Sequence, residues 1–218
     1  MKRFDFNLGV EVRSIDEPCG KLSGVVVYPE TLQVTDLIIQ KGFLPLLTQE
    51  RVLPLDKVQS AFKDNLHLAI LSEEFNQYPE YRVKEYEEPA TGLEQSAGQV
   101  AGPHGFHAAA EPHIPMIKRK IREGIAGGQL VIDQDAVVKN LDGTIGKVSH
   151  VIMERDDNKI THLVVKSGTV FSSEEVVIST SMIESVNEEG VSASITSDEV
   201  EQLARYTLEV EDSILTAN

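Results

Sequence analysis

Apolar and β-branched residues come in short runs along this chain, each broken by a polar turn. Residues 22–28 and 34–39 form one such pair of runs around Pro29-Glu30-Thr31, and residues 148–154 and 160–165 form another around Asp156-Asp157-Asn158. Runs of this length are too short for helices. Their Val and Ile content suits a pleated, half-buried surface, so each pair predicts a β-hairpin. The second turn is the stronger signal, because Asp and Asn tolerate the left-handed backbone that tight turns need. Shorter strands are predicted at 51–53, 57–62 and 66–71, and again at 176–178, 182–186 and 191–195. Ser72-Glu73-Glu74 and Ser197-Asp198-Glu199 then place a hydroxyl and early carboxylates where a helix N-terminus favours them, which predicts a short closing helix with serine as its cap.

The second half repeats the first. A shift of 126 positions aligns Val12 with Val138, Asp16 with Asp142, Gly20-Lys21 with Gly146-Lys147, Leu37 with Leu163 and Gly42 with Gly168. One residue is lost in the next loop, and a shift of 125 then pairs Glu50 with Glu175, Ser60 with Ser185, Ser72 with Ser197 and Tyr81 with Tyr206. The boundaries read as a first β domain at 5–84, a flexible linker at 85–115, a second domain with a lead-in strand at 116–210, and a tail at 211–218. The linker is rich in Pro, Gly, Ala and Gln and shows no apolar period, which predicts disorder. Few short strands per copy cannot make a useful sandwich but can close into a small barrel, which removes exposed edges. The fold class is therefore mainly β: two small barrels, each ending in a short helix. Apolar residues on both faces of the first hairpin (Val25 and Val27 against Leu22 and Val26) predict that something covers the barrel exterior.

The pattern Gly-Lys-(apolar)-Ser-x-Val, a hairpin, Thr-x-Leu followed by β-branched residues and glycine, and then Val-Leu-Pro-Leu-Asp resembles the PRC-barrel family. It runs from Gly20 to Leu71 and again from Gly146 to Ile195, with Ser179 where the first copy has Pro54. The family is similar to the cytoplasmic part of the photosynthetic reaction-centre H subunit and to the C-terminal barrel of a bacterial ribosome-maturation factor. The resemblance implies a tandem of PRC-like barrels that docks or assembles rather than catalyses. It differs from the first relative in lacking an N-terminal membrane helix, and from the second in carrying another barrel-like copy.

Composition narrows the function classes. The formal net charge is −15, with 35 carboxylate residues against 20 Lys and Arg. Nucleic acids and anionic membrane surfaces recruit clustered cations, so both are disfavoured as partners. A single cysteine, Cys19, cannot form an internal disulfide and predicts a reducing cytoplasm. It precedes a turn glycine where the other copy has Ile145, so it reads as small apolar filler.

Candidate chemistry is sparse. There is no phosphate-binding Gly-x4-Gly-Lys-Ser/Thr and no dinucleotide fingerprint. Gly124-Ile125-Ala126-Gly127-Gly128 reads as a turn. His104, His107, His113 and Glu111 have metal-like spacing but lie in the linker, without a scaffold to fix ligand geometry. His150 and His162 sit on opposite arms of the second hairpin, where they become neighbours if they share a face. Lys118-Arg119-Lys120 with Arg122 is the one cationic cluster, suited to offsetting acidic surface. The reading therefore expects no catalytic residues, no cofactor and no metal. It expects a non-enzymatic interaction protein with other proteins or its own copies as partners. The alternatives are a ribosome or RNA-processing accessory factor, and a peripheral subunit of a photosynthetic or electron-transfer complex. The candidate docking surface is the loop carrying Phe43, Leu44, Leu46 and Leu47, because the sister loop at 169–173 is more polar.

Overall fold

A computed structural model describes residues 3–42, 48–62, 64–89, 116–169, 172–203 and 205. Met1–Tyr81 together with Gly124–Asn218 form one compact unit, and Arg82–Glu123 form a second.

The first unit holds two seven-stranded sheets of the same design. One is built from β2 (Glu11–Arg13), β3 (Pro18–Tyr28), β4 (Gln33–Lys41), β5 (Gln49–Pro54), β6 (Val58–Phe62) and β7 (Asn65–Leu68) in the order β5-β4-β3-β2-β7-β6. In the second half, β11 (Val137–Asn140), β12 (Gly143–Glu154), β13 (Ile160–Thr169), β14 (Ser172–Ser179), β15 (Ile183–Asn187) and β16 (Gly190–Ala193) run β14-β13-β12-β11-β16-β15. Each path contains one parallel pair at the corresponding place, Val12 beside Leu66 and Val138 beside Val191.

The seventh strand of each sheet comes from the other half. β1 (Arg3–Asn7) pairs antiparallel with β12, and β10 (Leu130–Asp133) pairs antiparallel with β3. The registers are equivalent: Phe6 faces Val151 on one side, and Ile132 faces Val25 on the other. Phe6 and Ile132 are each 1% exposed and join a single core cluster that runs through both halves. The two sequence copies thus share one hydrophobic core, and truncating Phe6 to Ala would cost about 3–5 kcal/mol.

The hairpin tips complete this relationship. Gln33 and Lys159 form an antiparallel bridge. On either side, Val34 N–H donates to Asn158 C=O at 2.8 Å and Ile160 N–H donates to Leu32 C=O at 3.0 Å. Leu32 and Asn158 hold the corresponding left-handed conformation, at φ 54° and 58°. Asn158 is the turn residue expected to do so. For leucine this region costs about 1–3 kcal/mol, and the reciprocal bonds with core packing hold it there.

Several sequence expectations need correction. Among the described residues the sheets do not close into barrels, since both paths have open ends. The β5 edge is capped instead by the chain that follows it: Val52 N–H donates to Pro79 C=O and Tyr81 N–H to Glu50 C=O, both at 2.9 Å. A covered edge has no need of closure. The apolar residues assigned to two faces of the first hairpin sort differently as well. A register shift between Leu22 and Gly24 turns Leu22 into the core with Val25 and Val27. Val26 lies in a separate small cluster with Ile38 and Val52, packed by Ile125 and Val131. Tyr81 and Ile125 pack on that outer face, and Val131 of the other half's strand β10 flanks Val26 within the sheet.

The closing elements also differ from expectation. The first copy ends in a 3-10 turn at Glu74–Gln77, and only the second has an α-helix, α1 (Ser197–Gln202). Thr196, not Ser197, caps it, in a capping box with Glu199. In the first copy Glu74 performs the same half of that box, accepting Leu71 N–H at 2.9 Å.

The second unit contains β8 (Arg82–Pro89) and β9 (Met116–Glu123), an antiparallel ribbon in register from Arg82 with Glu123 to Pro89 with Met116. The segment expected as linker therefore starts as strand through Pro89. The lead-in strand expected from residue 116 is realised as β9.

Candidate functional site

Two sets of residues at equivalent places stand out. The first is the turn between β2 and β3, with its counterpart between β11 and β12. Asp16 Oδ1 accepts from Ser14 Oγ at 2.8 Å and from Ser72 N–H at 2.9 Å, while its Oδ2 accepts from Ser72 Oγ at 2.8 Å. These bonds, led by the Ser14 hydroxyl, hold the Asp16 carboxyl down at about 2. Asp142 Oδ2 accepts from Ser197 N–H at 2.6 Å, so each copy ties its turn to its closing element through the same pair. The serines aligned in the sequence serve this tie rather than a helix cap.

At the tip of each tied turn stands a large aliphatic residue in solvent. Ile15 and Leu141 are both 66% exposed. Their amides are fixed alike, Ile15 N–H to Ile70 C=O at 3.0 Å and Leu141 N–H to Ile195 C=O at 3.1 Å. Leu71, next to Ile70 in the chain, is 46% exposed and extends the apolar surface on the first copy.

The second set lies on the seam of β1 with β12. His150 Nδ1 is 2.9 Å from Asp5 Oδ1, and the Asp5 side chain is fully buried. Arg3 reaches Glu154 on the same strand pair at 3.5 Å. His162, opposite Ile152 in the ladder, lies on the face that carries His150 but bonds Thr161 Oγ1 at 3.1 Å. Burial, and then the charge of Arg3, lower its pKa and favour neutral imidazole. The two histidines thus share a face, and each bonds a partner of its own. In the other sheet the Asp5–His150 positions are held by Val131 and Gly24, where a Cβ on Gly24 would lie 2.6 Å from Val131 Cγ1. The only sequence signal for the pair was Asp5 between Phe4 and Phe6, matched to Val131 in the repeat.

The remaining candidates resolve simply. Cys19 is 1% exposed, and burial pushes its thiol up to about 11. Lys118 and Lys120 stand opposite Glu87 and Glu85 in the β8–β9 register, so the basic run faces an acidic one. Gly124 and Gly128 both take positive φ in a turn, and Ile125 between them packs on the small outer cluster. Phe43, Leu44, Leu46 and Leu47, and likewise His104, His107, Glu111 and His113, lie outside the described residues. Among the described residues no group of three or more His, Cys, Asp or Glu side chains is arranged to hold a metal. An open cleft of about 470 Å³ between the halves is lined by Lys21, Ser23, Glu50, Asp133 and Asp135. Burial raises the Asp133 pKa there.

Fold and surface together define a class: a β protein whose two like-ordered sheets complete each other with exchanged strands and present matching turn tips. Within it, residues 130–202 match the PRC-barrel domain family. The matched stretch runs from β10 to the end of α1, so its first strand is the one lent to the other sheet. No curated protein matches the chain.

Proposed function

We propose that this chain is a non-enzymatic protein-interaction or assembly module made from two PRC-like copies, acting in the cytoplasm. The observation that carries the reading is the equivalent placement of Ile15 and Leu141, both 66% exposed on turns anchored by the same hydrogen bonds. Large aliphatic side chains held in solvent by a rigid turn are suited to burial against another protein. Their repetition at related positions offers a partner two like contacts, where linkage multiplies a modest affinity. The PRC-barrel match at 130–202 supports the reading, since the family resemblance implies docking modules. The Phe43, Leu44, Leu46 and Leu47 loop is proposed as a further contact of the first copy.

The test pairs Ile15→Ser with Leu141→Ser, and separately Leu46→Ser with Leu47→Ser. Partner capture from the native organism and oligomeric mass by light scattering are read on variants whose melting temperature is unchanged. The proposal requires that the Ile15/Leu141 variant lose a partner or an assembly state. Identical capture and mass for that variant and the parent would refute it.

A further inference from the structure

The ribbon of β8 and β9 is the part of the chain that the two seven-stranded sheets do not absorb. Among the described residues it pairs with no third strand. A lone two-stranded ribbon is marginal in water, and a third strand or a covering surface stabilises it. Val83 and Ile121 are 47% and 51% exposed. They occupy neighbouring, alternate positions of the ladder, Val83 opposite Arg122 and Ile121 opposite Lys84, so each face of the ribbon presents an aliphatic residue to solvent.

The two strands differ in charge. β9 reads Met-Ile-Lys-Arg-Lys-Ile-Arg-Glu, with four cations and one carboxylate, in a chain whose net charge is −15. β8 lies along one side of β9 and sets Glu85 and Glu87 opposite Lys120 and Lys118. The outer edge of β9 is the other side, a row of backbone donors and acceptors on a basic strand. Lysines on an edge also guard against aggregation. What that guard repels is another basic strand, a second copy of β9 included. An acidic strand meets attraction there instead.

We propose that the outer edge of β9 takes an acidic extended segment of a partner protein as a third strand. Main-chain hydrogen bonds supply the affinity, and the basic sequence of β9, whose positions 118, 120 and 122 fall on one face of the ladder, selects an acidic segment. The added strand also makes the ribbon three-stranded, the size at which a sheet becomes independently stable. This inference rests on the interaction-module reading and names one of its surfaces.

The experiment uses the full chain and a fluorescein-labelled synthetic peptide of alternating Thr, Glu and Val with Glu at every second position. Binding is followed by anisotropy at low salt. Three probes accompany it: the same peptide N-methylated at the amides of one edge, a version with Lys in place of Glu, and single-stranded oligouridylate RNA. Saturable binding of the acidic peptide is expected, weakened about tenfold or more by N-methylation and by the Lys exchange. Lys120→Glu, at a position opposite Glu85 on the face shared by positions 118, 120 and 122, should weaken it to a similar degree. The N-methyl comparison uses unaltered protein and holds even where that variant loosens the ribbon. No binding of the acidic peptide overturns the proposal. So does equal binding of the N-methylated peptide, which would be charge attraction without strand pairing, or capture of the RNA alone. Failure here with partner capture through Ile15 and Leu141 intact removes the β9 edge only, whereas failure of both removes the module reading.

Discussion

Asp5 and His150 meet at 2.9 Å across the seam between the halves, where the other sheet sets Val131 against Gly24. The seam is thus polar on one side of the molecule and apolar on the other. Removing one member of a buried hydrogen-bonded pair leaves its partner short of a bond, so Asp5→Val should cost about 2–4 kcal/mol. Adding His150→Gly recreates the Val–Gly arrangement. In urea unfolding, the double variant should be more stable than the sum of the two single losses by about 1–3 kcal/mol. Strict additivity would mean the pair is not a coupled unit.

Asp16 predicts an acid-sensitive turn. Its folded carboxyl titrates at about 2, below the ordinary 3.8. A depressed carboxyl contributes stability that is fully present above the unfolded value and is lost as pH falls through the folded one. The contribution should therefore fade between about pH 4 and pH 2. Asp16→Asn should flatten the stability profile across that window while moving little between pH 6 and pH 8 beyond a constant offset. A melting series in pH compares the two proteins, and parallel curves would contradict the assignment.

Glycine at the equivalent positions 20 and 146 is required by close approach. A Cβ would lie 2.4 Å from Gln40 O at the first and 2.1 Å from Lys166 O at the second, both backbone atoms that cannot rotate away. Only Gly20 has a left-handed φ, at 151°. Gly146→Ala should nonetheless destabilise by about 2 kcal/mol or more, and Gly20→Ala by a similar amount. A neutral result at Gly146 would place the neighbouring strand farther away.

Cys19 should be inert in the folded protein. Its sulfur is buried, donates to Val12 C=O at 3.5 Å, and titrates at about 11. Thiol-specific reagents at pH 8 should react only after denaturant is added. Prompt labelling of the native chain would contradict the burial.

The parts of the fold that were legible in sequence are those set by local geometry. Gly20 and Gly146 mark close approaches, Asn158 marks a left-handed turn, and Leu37 and Leu163 mark core positions, so the repeat could be read from them. The strand exchange was not legible. Alternation tells which face of a strand is apolar, and Phe4-Asp5-Phe6 tells as much for β1, but nothing local says which distant strand it joins. Counting strands suggested closure because capping of β5 by residues 79–81 depends on where the chain returns. At the candidate site, Asp16 with Ser72 and Asp142 with Ser197 were visible as repeated residues. Their partnership was hidden because a serine before glutamates is also what a helix cap looks like. Asp5 with His150 was hidden for another reason: the pair joins opposite ends of the chain.

The most direct test of the account is to cut the chain between its copies and ask whether they part. A specific protease site inserted between Val100 and Ala101 allows cleavage of the folded protein, followed by size-exclusion chromatography with light scattering in native buffer. Reciprocal exchange of β1 and β10, with one core through both halves, predicts a single species with the mass of the intact chain that separates only in denaturant. The β8–β9 ribbon alone is too marginal to hold the pieces. Two independently folded fragments eluting apart would contradict it.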